Sequence, residues 1–247
     1  MRRVRVYHGG TLYTAEQDGS WAEAVAVEGA RIIRVGALHS ILESYPDAEL
    51  LDLGGRTMVP GFIDPHNHYL STGESLASLD LRFPGISSTQ ELVDLVATAA
   101  AATPEGQWIQ GFGFDHAKYD TWPTRWDLDQ ATTAHPVGLS HISGHYLLVN
   151  STALDTAGVD DDTPDPQGGH LVRDEQGRIT VLCQDAAQGL VQPVVVDVGS
   201  HGINIHIQAP MEELVAAVDR AGSAFVAAGL TNVDDAQVSM WEMAAYR

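Results

Sequence analysis

The chain has 247 residues, 44% hydrophobic and 19% charged, a balance that suits a folded globular protein of one large domain or two ordinary ones. Thirty-three acidic against thirteen basic side chains give a formal charge of −20, which repels phosphate backbones and anionic membranes and argues against nucleic acid and membrane as partners. No segment approaches the ~18 consecutive apolar residues of a membrane span.

The first five residues, Met1-Arg2-Arg3-Val4-Arg5, carry the charge of an export leader, but Tyr7-His8-Gly9-Gly10 follows where an apolar stretch would be required. A cytoplasmic location is expected, and the single cysteine, Cys183, is compatible with it. That cysteine is read as a small buried hydrophobe. Lys118 is the only lysine, so a lysine-based mechanism has one candidate.

In chain order, residues 1–58 read as a small β unit with strands over Val4–Tyr7, Ala24–Val27, Arg31–Val35 and Glu49–Leu53. Glycine pairs punctuate it, and Glu28-Gly29 sits where a hairpin turn is expected. Residues 59–247 alternate strand and helix. Met58–Asp64 is a buried-strand candidate, and Ser88-Thr89-Gln90-Glu91 is a capping-box start for a helix that carries Leu92, Leu95, Val96 and Ala99.

Strands are next expected over Trp108–Phe112 and His135–Ser140, with a long loop insertion near 155–210 built around Asp160–Gly169. A helix from Pro210 should present Leu214, Val215, Val218, Ala221 and Phe225 on one face and stop at Gly229, before a strand over Leu230–Val233. Strands alternating with helices behind a β unit predict an α/β fold, a parallel sheet or a (β/α) barrel, with about four barrel-type strands where a closed barrel has eight.

The chemistry concentrates in Asp64-Pro65-His66-Asn67-His68. In an extended strand His66 and His68 point to the same side, so two imidazoles can reach one ion, and imidazole suits zinc, nickel or iron. Asp64 can serve as a further ligand or as an acceptor that fixes a histidine tautomer.

The longer string Val59-Pro60-Gly61-Phe62-Ile63-Asp64-Pro65-His66-Asn67-His68 resembles the first barrel strand of the amidohydrolase superfamily. The β unit before it resembles the urease-type sandwich found there. Trp108–Asp115, Ser143-Gly144-His145 with Val149–Leu154, Thr163–Gly169 and Gly229–Ala236 occur in the order of the amidohydrolase 3 (YtcJ-like) family. The resemblance implies the N-terminal half of a metal-dependent hydrolase with a TIM-type barrel, cleaving a non-peptide C–N bond of a small amide, imide or N-acyl substrate.

It further implies His66 and His68 as ligands of a divalent transition metal, zinc being expected, and His145 and Asn150 at the substrate; Asp115, at a strand end, is expected to line the same pocket. Where the family tends to carry a glutamate, this chain has Gln184, a weaker neutral ligand for the same ion. The catalytic acid–base aspartate and the remaining ligands would belong to strands beyond Arg247, so a homo-oligomer or a complementing chain is expected as partner. The alternative is a catalytically silent fragment that binds metal weakly. His141 is read as either a pocket or a core residue, Lys118 is the one possible source of a carboxylated lysine but reads as part of a polar loop, and His201 and His206 are expected as exposed.

Overall fold

The computed structural model describes residues 3–16, 19–119, 121–192, 194–199, 202–207 and 209–247. His201 lies outside them. Two compact units are distinguished: Met1–Ile63 with Gly229–Asn232, and Asp64–Ala228 with Val233–Arg247.

The first unit holds a four-stranded sheet in the order Arg31–Gly36, Ala24–Glu28, Val4–His8, Glu49–Asp52. The expected hairpin is present, with Glu28 opposite Arg31 and Gly29 at φ 62°, where the absence of a Cβ makes the turn accessible. Val6, Ala24 and Ala26 bury one face of this sheet against Ile41 of the helix Leu38–Ser44. A second, three-stranded sheet has the order Trp21–Ala22, Thr11–Tyr13, Thr57–Met58.

The expected strand over Met58–Asp64 is displaced: Thr57–Met58 ends before Val59-Pro60-Gly61, and the next strand is Phe62–Asn67. Proline has no ladder N–H, and a Cβ at Gly61 would lie 2.2 Å from Thr231 Cγ2, so these two residues make a close crossing and not a ladder. Phe62–Asn67 pairs with Leu230–Asp235. Phe62 N donates to Gly229 O and Ala236 N to Asn67 O, so the two strands run the same way.

In the second unit a six-stranded sheet has the order Gly169–Arg173, Ile179–Asp185, Tyr146–Val149, Val137–His141, Ile109–Phe114, Leu79–Asp80. The strand Ile109–Phe114 is parallel to both of its neighbours, and the pairings beyond Val137–His141 are antiparallel. Leu92 and Val96 of the helix Thr89–Ala102 pack on Leu81, Ile109, Val137 and Leu139 to form the main core. Ser88 caps this helix by accepting from Glu91 N, as expected.

The interval 155–210 is no single loop. Asp160–Gly168 is turn and irregular chain, but Gly169–Arg173 and Ile179–Asp185 form a hairpin, and Val194–Gly199 with Gly202–Ile207 a second. Buried Leu171, Ile179 and Cys183 explain the first hairpin, since they pack beneath Ala153 and Leu154 of the helix Ser151–Ala157. Cys183 is fully buried, and desolvation pushes its thiol up to about 12, as an inert core residue requires.

The helix Met211–Ala227 begins after Pro210 as expected, but buries Leu214, Ala217 and Ala221 while Val215 is exposed. The reason is Gly73. Its ideal Cβ would lie 1.9 Å from Ala217 O, so the helix Tyr69–Ser75 crosses at backbone contact and selects the face that carries Ala217. Among the described residues no helix is long and apolar enough to cross a membrane.

Candidate functional site

The strand Phe62–Asn67 delivers His66 and His68 at its carboxyl end, and His68 is already the N-cap of the helix Tyr69–Ser75. Their rings stand edge-on, with centroids 5.7 Å apart. Both residues are exposed, and neither ring makes a hydrogen bond among the described residues, which leaves nitrogen lone pairs free for an ion. Asp64 accepts from Asn67 Nδ2 at 2.8 Å and from His66 N at 3.2 Å, bonds that hold its carboxyl below the usual range. Asp64 therefore braces the turn that presents the histidines. Asn67 Oδ1 is buried without a hydrogen-bond partner, leaving one more acceptor beside them.

His68 lines a cavity of about 490 Å³, within the size range of small-molecule sites. Glu74, His145, Gln188, Glu213 and Gln237 line it too. His145 is fixed by Asp185, whose Oδ1 accepts from its Nδ1 at 2.7 Å, leaving Nε2 as the acceptor. Asp185 does this from φ 50°, a backbone conformation rare outside glycine. Burial and the neighbouring Glu213 push the carboxyl of Glu74 up to about 7, a value suited to proton exchange near neutrality.

Not every expected site residue faces this cavity. Asn150 is fully buried at the N-cap of the helix Ser151–Ala157. Its Oδ1 accepts from Val137 N and Ala153 N, and its Nδ2 donates to Thr132 O and His135 O. With its hydrogen-bonding capacity used within the fold, Asn150 is a brace and not a substrate contact. Gln184 lies next to the end of the strand Ile179–Asp185, opposite Tyr146 and His170, and is not among the cavity-lining residues; Asp185, one step along, is the residue that turns toward His145. Lys118 is exposed at the end of a short 3-10 turn. His206, expected as exposed, is largely buried and bonds Glu242 Oε2 at 3.0 Å.

Asp115 likewise does not line the cavity but forms a cluster with His116 and His141, whose ligating atoms all lie within 4.8 Å of one another. The cluster caps two neighbouring parallel strands, Ile109–Phe114 and Val137–His141. His141 is buried, and desolvation together with the nearby His116 lowers its pKa, which favours the neutral ring. His116 escaped the sequence reading because one histidine in a polar loop has no period or motif to mark it.

A model of the amidohydrolase family (Amidohydro_3) matches residues 49–247. The chain belongs to this family. It is 34% identical over 212 residues to YtcJ of Bacillus subtilis (strain 168), covering 84% of this chain and 40% of that protein. It is 33% identical over 237 residues to the N-substituted formamide deformylase of Arthrobacter pascens, covering 95% and 42%. An uncharacterized metal-dependent hydrolase from Pyrococcus furiosus shares the fold, with a TM-score of 0.64 at 23% identity, over 98% of this chain and 46% of that one. The chain thus spans about two fifths of the length of these curated relatives. For an amidohydrolase, the expected partial α/β arrangement is the one observed.

Proposed function

We propose that this amidohydrolase is a metal-dependent hydrolase of a non-peptide C–N bond in a small amide, imide or N-acyl compound. The observation that carries the reading is that His66 and His68 stand together at the end of one strand with unbonded rings, and that His68 opens onto the cavity. Two imidazoles in this setting suit zinc among the divalent transition metals. When bound, such an ion supplies Lewis acidity, polarising a carbonyl and acidifying water.

The chain's own groups do the rest. His145, held through Nδ1 by Asp185, offers Nε2 as a proton acceptor or as a hydrogen-bonding partner for the substrate. Glu74, half-protonated near neutrality, can return a proton to a departing nitrogen within the same cavity. The C–N class is supported by the name of the Arthrobacter relative, a deformylase of N-substituted formamides. A cytoplasmic setting fits the one buried, reduced cysteine.

The test is hydrolysis of a panel of N-formyl and N-acyl amines, cyclic amides and aryl phosphates by the zinc-loaded chain. Amine release that His68→Ala abolishes supports the reading. Hydrolysis of phosphates alone, or of nothing, overturns it.

A further inference from the structure

The His66–His68 pair is not the only place where imidazoles converge. His116 Nδ1 and His141 Nε2 stand 3.1 Å apart, and the carboxylate of Asp115 belongs to the same cluster. We propose that Asp115, His116 and His141 form a second divalent transition-metal site, of the zinc or cobalt class, separate from the one assigned to His66 and His68.

Three observations carry this. The first is the spacing. An ion about 2.05 Å from each nitrogen would see a 3.1 Å separation under an angle of about 100°, between the octahedral and tetrahedral values. The second is preorganisation. His116 stacks on Trp122, with centroids 3.7 Å apart and planes at 16°, and the buried His141 ring is wedged edge-on between Phe114 at 5.0 Å and Tyr146 at 5.5 Å. Neither ring must be recruited from solvent. Asp115 is held as well, its Oδ1 accepting from Ala117 N at 3.0 Å.

The third is the outer contact. His141 Nδ1 lies 2.8 Å from Ser143 Oγ, an acceptor for the ring proton that must sit on Nδ1 when Nε2 binds a cation. Without an ion Ser143 N donates to this Nδ1 at 3.1 Å, so the ring proton then sits on Nε2, and a cation on Nε2 requires the other tautomer and the loss of that backbone contact. Without an ion His141 Nε2–H donates to His116 Nδ1; an ion on Nε2 would move that proton to His141 Nδ1, where Ser143 Oγ accepts it. Two imidazoles and one carboxylate leave further positions for water.

The experiment is equilibrium dialysis of the 247-residue chain against Co²⁺, with the visible d–d spectrum as a second readout. Removing the first site in a His66→Ala/His68→Ala variant should leave about one bound Co²⁺ with a nitrogen-ligand spectrum. Adding Asp115→Asn, which is isosteric, should raise its Kd at least ~10-fold, and adding His116→Ala should abolish the spectrum. The proposal is overturned if the double variant binds no Co²⁺, or if neither addition alters its binding. Should His116→Ala fail to fold, Asp115→Asn decides. Because the first site is already absent from these variants, failure here is distinct from failure of the hydrolase reading.

Discussion

Asp185 grips His145 twice: its backbone N–H donates to His145 O at 2.9 Å, and its Oδ1 accepts from His145 Nδ1 at 2.7 Å. It does so at φ 50° and ψ −119°, the conformation of the first central residue of a type II′ turn, where glycine is the residue without steric cost. Asp185→Ala loses the side-chain bond and keeps the strain, whereas Asp185→Gly loses the bond and relieves the strain. Urea denaturation should therefore find the glycine variant more stable than the alanine variant by ~1 kcal/mol. The reverse order would mean that the positive φ is not what holds this residue.

Asn150 offers a cleaner separation of brace from pocket. Asn150→Ala leaves buried backbone groups of Val137, Thr132 and His135 without their partner and should cost about 2–4 kcal/mol. Metal content should not change. A variant of native stability that loses substrate affinity would return Asn150 to the cavity.

Gly73→Ala tests the helix crossing. A methyl group 1.9 Å from Ala217 O cannot be accommodated without separating the helices Tyr69–Ser75 and Met211–Ala227. The expected loss is ~1–3 kcal/mol, read as a lowered urea midpoint with unchanged slope. No loss would show that the two backbones do not touch.

Glu74 predicts a pH dependence of fixed sign. Its carboxyl titrates near 7 in the fold and near 4.5 when unfolded, so between these values the folded state binds more protons and stability falls as pH rises. Asp80 is a control of opposite sign, since Arg82 holds it at about 2 and its contribution is lost only as pH falls toward that value. Glu74→Gln should flatten the decline between pH 5 and 7, worth at most ~3 kcal/mol. An unchanged slope in denaturation curves across that range would remove Glu74 as its source.

The sequence was legible where a local rule has a local signature. Ser88 and Glu91 announced the start of their helix and Gly29 its hairpin; His66 and His68 stand near each other, though the strand ends at Asn67 and His68 already caps the next helix. It was illegible where the decisive partner is distant. The two-residue strand Leu79–Asp80 exists through pairing with Gly111 and Phe112, and no pattern of its own marks it. The burying face of Met211–Ala227 is set by Gly73, far back in the chain. His116 and His141, 25 residues apart, meet because parallel strands place their ends side by side. Local signatures also mark Ser239-x-x-Glu242 and Thr124-x-x-Asp127, which both form capping boxes on short helices.

The central claim is that His66 and His68 hold a divalent ion, and metal content measures it most directly. After zinc loading and exhaustive dialysis, the wild-type chain should retain one more equivalent of zinc than the His66→Ala/His68→Ala variant, with both folded by circular dichroism. Equal zinc content in the two chains would contradict the account.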